Sequence, residues 1–175
     1  MLKCGLDIDD VLADFMGSYL KRFSIPKQNN EITKNVQKIL KTDKTFWVNL
    51  PVLNTLDFTP TLYCTKRVNP KSWTKKWLLE NNFPNKPIYQ VYCQSSNKAN
   101  YIKGRIDVFI DDSVSNFIAM NLAGVPCLLY NKDYNQHWGP IGRIYSLDYN
   151  HIEETYNLFM EQIFPNFKSL IDEIK

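Results

Sequence analysis

The sequence predicts an α/β fold, with a parallel sheet covered by helices on both faces and an insert between its first and second strands. Five short apolar, β-like runs alternate with helix-forming stretches along the chain, the signature of βαβ units whose strands are buried on both sides. A length of 175 residues, with 44% hydrophobic and 22% charged content, suffices for one domain with a buried core. No internal repeat or low-complexity tract breaks the series.

The elements follow in order. Leu2 to Ile8 reads as the first strand, and Leu12 to Phe23 as an amphipathic helix. The polar stretch from Pro26 to Lys44 reads as an insert with one helix around Ile32 to Leu40, and "TFWVNLPVLNTL" leads out of it. "TPTLYCT" is the second strand, "PKSWTKKWLLENN" a helix started by Pro70, and "KPIYQVYC" the third strand. "NKANYIKG" is a short helix ended by Gly104, and "IDVFIDD" the fourth strand. "SVSNFIAMNLAG" is a helix stopped by Gly124, and "VPCLLYN" the fifth strand.

The totals narrow the function classes. A net charge of +3 suits a small anionic ligand as well as a nucleic acid. The four cysteines, Cys4, Cys64, Cys93 and Cys127, form no CxxC pair and read as buried reduced thiols. No charged leader followed by an apolar run and no 18-residue apolar stretch is seen, so membrane spanning and secretion are not expected and a cytoplasmic compartment is. GxSxG, Walker A and GxGxxG fingerprints do not occur. With only His137 and His151 and no paired Cys ligands, a zinc site is not expected.

In open α/β sheets ligands bind beyond the carboxyl ends of the strands. The polar residues expected there are Asp7, Asp9 and Asp10, then Thr65, Lys66 and Arg67, then Ser95 to Lys98, then Asp111 and Asp112. Residues two apart on a strand share a side, so Asp7 and Asp9 can face one pocket while Asp10 points elsewhere. Two carboxylates about 4 Å apart repel by roughly 4 kcal/mol at an effective dielectric near 20. A divalent cation with hard oxygen ligands relieves this, and "DIDDVLAD" lacks the glycine and terminal Glu of an EF-hand loop. A lysine and a hydroxyl beside such a cluster are what phosphoryl transfer requires. One carboxylate can attack phosphorus while a second protonates the leaving oxygen and later activates water.

"LDIDDVLADF", "LYCT", "SSNK" and "DVFIDD", in this order, resemble the four motifs of the haloacid dehalogenase superfamily of phosphohydrolases. Within it, "DIDDVLADFMGSYLKRF", "FWVNLPVL", "LYCT", "NK" and "DVFIDD" are similar to the 5′(3′)-deoxyribonucleotidases, over about residues 4 to 130. The resemblance implies a Rossmann-like three-layer fold with a small, mainly helical cap at residues 16–58 inserted after the first strand. It implies a Mg²⁺-dependent phosphomonoesterase acting on (deoxy)ribonucleoside monophosphates. Asp7 would be the nucleophile and Asp9 the general acid/base. Asp7, the Asp9 backbone carbonyl and Asp111 would hold Mg²⁺, Thr65 would bond a phosphoryl oxygen, and Lys98 would screen the charge. Phe15, Phe46 and Trp47 would enclose the base, and a homodimer is expected by analogy.

The sequence departs from that family at three places. Asp10 stands where Gly is usual, the insert between Phe15 and Phe46 is short, and Lys66 and Arg67 replace Ser and Pro after Thr65. Lys66 and Arg67, with Lys71, read as solvated charge or as ligands of further phosphates, which would suit the 3′ or 5′ end of an oligonucleotide. A metal- and nucleotide-binding protein without turnover is the remaining alternative. Lys103 competes with Lys98, and Asp112 with Asp111, as a ligand, a helix cap or a residue behind the metal. Asp14 reads as a first-turn helix charge, and "YNQHWGP" around His137 as a loop near the exit of the fifth strand.

Overall fold

The computed structural model describes residues 1–23, 38–92 and 96–174. Its core is a six-stranded sheet in which every pairing is parallel, in the spatial order β3-β2-β1-β4-β5-β6. The strands are β1 (Cys4–Leu6), β2 (Leu62–Thr65), β3 (Ile88–Gln90), β4 (Val108–Asp111), β5 (Cys127–Tyr130) and β6 (Arg143–Ile144). With helices packed around this sheet, the predicted α/β three-layer architecture is the one observed. β6 is additional to the five expected strands: two residues are too few to show an alternating pattern.

The helices are α1 (Phe15–Phe23), α2 (Lys44–Val48), α3 (Lys71–Glu80), α4 (Ala99–Ile102), α5 (Val114–Leu122), α6 (Tyr149–Gln162) and α7 (Phe167–Ile174). Residues 38–42 are also helical, whereas residues 32–37 of the helix expected in the insert, with Cys93 and Ser95, lie outside the described residues. Pro70 stands at the N-cap of α3, where its missing N–H costs nothing. Gly124, at φ +75°, ends α5 in the left-handed conformation glycine favours. At Gly5 in β1 a Cβ would lie 2.9 Å from the Phe109 ring, so only glycine lets β4 pack this closely.

β1, β2, β4 and β5 are buried along their whole length, as strands covered on both faces must be. On one flank α2 packs on α3. On another α5 meets α7, where Phe117, Phe159 and Phe167 meet ring to ring at 5.5 to 6.2 Å. Cys4, Cys64 and Cys127 are buried free thiols. Among the described residues no helix is long and apolar enough to cross a membrane.

The strand order fixes where chemistry can sit. The chain passes from β3 at one edge to β4 beside β1, so the crossover direction reverses between β1 and β4. In open α/β sheets ligands bind beyond the carboxyl ends of such a central pair. Asp7 directly follows β1 and Asp111 closes β4.

Candidate active site

The turn after β1 explains the run of acids. Asp7 N donates to Ile110 O at 2.9 Å, which ties the end of β1 to β4, and Ile8 N donates to Asp7 Oδ1 at 2.7 Å. The chain then folds back on itself: Leu12 N and Ala13 N both donate to Ile8 O, at 2.8 and 2.9 Å, and Asp10 N donates to Ala13 O at 2.7 Å. Ile8, Val11, Leu12 and Ala13 have no exposure at all, so the apolar side chains anchor the turn. Asp10 takes φ +60° and its Oδ1 accepts Met16 N at 2.8 Å. Asp14 Oδ1 accepts Gly17 N at 3.0 Å, a charge on the first turn of α1.

Lys98 lies at the start of α4, where Asn97 Oδ1 accepts Ala99 N at 2.9 Å and Asn97 Nδ2 donates to Ala119 O of α5 at 2.8 Å. Held this way, the Lys98 ammonium sits 2.7 Å from Asp7 Oδ2 and 2.8 Å from Asp111 Oδ2. Asp111 Oδ1 accepts Ser113 N at 2.9 Å, and Asn116 Nδ2 reaches both Asp111 oxygens at 3.1 Å. Lys103 points elsewhere and donates to Ala123 O at 2.6 Å, at the end of α5.

Asp112 adds a third buried carboxylate. Ligand oxygens of Asp7, Asp111 and Asp112 lie within 4.8 Å of one another. The helix after it is capped by Ser113, whose Oγ accepts Asn116 N at 3.4 Å, so Asp112 is not the cap. Its Oδ2 instead accepts the Tyr134 hydroxyl, and its backbone carbonyl accepts Asn135 Nδ2 at 2.8 Å. Arg143 of β6 braces Asn135 from behind, at 2.6 Å to Oδ1 and 2.9 Å to the carbonyl. Tyr134 and Asn135 belong to a 3₁₀ turn, Asp133–Trp138, that carries the "YNQHWGP" loop.

Three carboxylates gather at the Lys98 ammonium, with the half-buried Lys66 near enough to feel Asp111 and Asp7, and the crowding of acids shows in their proton affinities. Burial, then the neighbouring Asp111 and Asp9 charges, push the Asp7 carboxyl up to about 7 although Lys98 pulls the other way. Burial together with Asp111 and Asp7 raises Asp112 well above the carboxylate range. For Lys98 burial opposes the charge, but Asp111 and Asp7 outweigh it and the ammonium is held more firmly than usual. A hard divalent cation would remove the need for those protons, and three carboxylate oxygens at this spacing are a donor set suited to Mg²⁺.

The other expected residues fall in two groups. Thr65, fully buried at the end of β2, accepts Arg67 N on Oγ1 at 3.3 Å, and Lys66 is half-buried. Burial, then the Lys98 charge, lowers the Lys66 ammonium. Asp9 meets Arg67 in an ion pair of 2.8 Å. The Arg67 side chain has no exposed surface, so it is neither solvated charge nor open to a second phosphate. Phe46 and Trp47 are buried at 6% and 2% exposure, in a ring cluster where half-buried Phe15 stacks on Trp47 at 5.6 Å. Both belong to the buried core in this structure. Asn97 falls in the polar run Ser95 to Lys98 and Tyr134 and Asn135 in the "YNQHWGP" loop, but the sequence assigns none of them a role. Asn116 lies outside any stretch singled out, and its one local signal is its place one turn into the helix after the acidic pair.

A separate cavity of about 790 Å³ lies at the amino edge of the sheet, between Thr55 to Thr59, Asn81 to Pro84 and Tyr149, away from the carboxylates. Comparison of the chain with family models and with curated proteins finds no match in either.

Proposed function

We propose that this protein is a phosphomonoesterase that works through a phosphoaspartyl intermediate on Asp7, as its likeness to the haloacid dehalogenase phosphohydrolases suggests. The observation that carries the reading is the Lys98 ammonium between Asp7 and Asp111, beside a third carboxylate at the topological switch point. A structural ion pair needs one acid for one base. An excess of buried acid is costly to the fold and is explained by a cation and an anionic substrate that are brought together there.

The side chains divide the work. An Asp7 oxygen attacks phosphorus, and Lys98 offsets the negative charge that nucleophile and phosphate bring together. Thr65 Oγ1 already accepts the Arg67 amide, so its own proton is left to donate to a phosphate oxygen. Asp9 gives a proton to the leaving alcohol and later takes one from the attacking water. Asp7, Asp111 and Asp112 would hold Mg²⁺, which supplies further positive charge to the phosphate oxygens.

(Deoxy)ribonucleoside monophosphates are the first substrates to test, on the strength of the sequence resemblance. A panel of 5′- and 3′-monophosphates of ribo- and deoxynucleosides, with other phosphate esters, should show phosphate release in the presence of Mg²⁺. Asp7→Asn should abolish it. Wild-type protein that releases no phosphate across the panel overturns the proposal.

A further inference from the structure

Arg67 is held on every side. Its Cζ lies 5.2 Å from the Trp47 ring centroid and 5.3 Å from that of Trp77, so the guanidinium is sandwiched between one indole from α2 and one from α3. Neither ring is free to turn, because Trp47 Nε1 donates to Leu40 O at 2.7 Å and Trp77 Nε1 to Leu50 O at 2.8 Å. The Arg67 backbone is tied as well, to Thr65 Oγ1 through its amide at 3.3 Å and to Gln90 Nε2 through its carbonyl at 2.9 Å.

Among the described residues the clamped guanidinium meets one carboxylate. Nε donates to Asp9 Oδ1 at 2.9 Å and Nη2 lies 2.8 Å from the same oxygen without making a hydrogen bond, while buried Nη1 has no acceptor among the described residues. For stability alone this is a poor arrangement. A buried cation with an unmet N–H is commonly matched or bettered by apolar residues of similar volume. Both contacts fall on Oδ1, which leaves Oδ2 of a side chain that is 20% exposed for other partners.

We propose that Arg67 is a positioning residue: pinned between Trp47 and Trp77, it fixes the Asp9 carboxyl by Oδ1 so that Oδ2 faces the oxygen of the leaving group. This rests on the phosphomonoesterase reading. In the first half-reaction an Asp7 oxygen bonds to phosphorus, the bond from phosphorus to the alcohol oxygen breaks, and that oxygen takes the Asp9 proton. In the second, water bonds to phosphorus and passes a proton to Asp9, and the bond to Asp7 breaks. Both side chains return to their starting state. A planar fork locked between two rings sets the direction of Oδ2 in a way that a flexible ammonium does not.

The test compares two esters on the full chain with Mg²⁺: the best alkyl phosphate of the panel, and 4-nitrophenyl phosphate. The first needs a proton on its leaving oxygen, the second does not. kcat/KM covers the steps through loss of the alcohol, so it reads the protonation and not the later hydrolysis. In Arg67→Lys the ratio of kcat/KM for alkyl over aryl ester should fall by about 100-fold, the low end of what general acid catalysis contributes. Asp9→Asn should lower the ratio similarly, and Arg67→Lys added to it should lower it no further.

Partial unfolding scales both esters alike, so the ratio does not depend on the folded fraction. Trp47→Phe, which loosens the clamp without removing the guanidinium, gives the same readout with a smaller drop if Arg67→Lys fails to fold. Equal losses on both esters in these variants, or a further fall in the Asp9→Asn background, overturn the positioning role and leave the phosphatase reading intact. A wild type that cleaves neither ester overturns both.

Discussion

Asp10 Oδ1 accepts the backbone amide of Met16 at 2.8 Å, and it does so from a residue in the left-handed region at φ +60°. That conformation is the natural place for glycine. Asp is among the few other residues that tolerate it, because a short polar side chain can bond locally. Asp10 thus trades backbone strain for a cap on α1.

Removing both features should separate them. Asp10→Ala loses the cap and keeps a Cβ in the strained region, and should cost about 2 kcal/mol. Asp10→Gly loses the same side chain but relieves the strain, and should cost clearly less. Urea unfolding of the two variants reads the difference, and equal costs would show that strain at this turn is negligible.

Lys98 and Lys103 are five positions apart, and sequence alone left both open. Lys98→Met strands two buried carboxylates and should lower stability by about 3 to 5 kcal/mol and abolish phosphate release. Lys103→Met removes one exposed contact to a helix end and should cost about 1 kcal/mol or less, with phosphate release retained. Thermal unfolding alongside the phosphatase assay checks both. Loss of activity in Lys103→Met alone would reverse the assignment.

What could be read in advance was what strand periodicity and topology dictate. Asp7 follows one strand and Asp111 closes its neighbour, and because a parallel sheet brings such ends together their meeting was legible, with Lys98 reaching both from the helix start beyond β3. The role of Arg67 was not legible: within "TKR" it reads as solvated charge or as a ligand of further phosphates, and nothing local reveals that Trp47 and Trp77 arrive from two different helices to enclose it. The resemblance implies that Trp47 encloses a base, yet its N–H is spent on Leu40 O. Tyr134 lies 22 residues beyond Asp112, and only the turn after β5 brings them together.

The raised Asp7 carboxyl sets a direction for stability against pH. Its value of about 7 in the fold exceeds the ordinary 3.8, so between those limits the folded state binds more protons than the unfolded one. Its contribution is therefore fully present below the lower value and is lost as pH rises through about 7. In EDTA the Tm component from this group should fall from pH 5 to pH 7.5, and Asp7→Asn should flatten it. A component that rises over the same window contradicts the assignment.

Tyr134 and Asp112 give the sharpest test of the cation. The hydroxyl donates to a buried carboxylate that lies with Asp7 and Asp111 around one small volume. A ligand that binds only the folded state at 100 times its Kd stabilises by about 2.7 kcal/mol, so MgCl₂ should raise Tm at pH 7.5 beyond what KCl of equal ionic strength does. Tyr134→Phe keeps the ring and removes only the orienting hydrogen bond. The Mg²⁺ concentration needed for half the shift should then rise by about 10- to 100-fold, the usual effect of losing a group that orients a metal ligand. Asp112→Asn should move it at least as far. An unchanged Mg²⁺ dependence in both variants would place the ion elsewhere and reduce Asp112 to a partner of the loop.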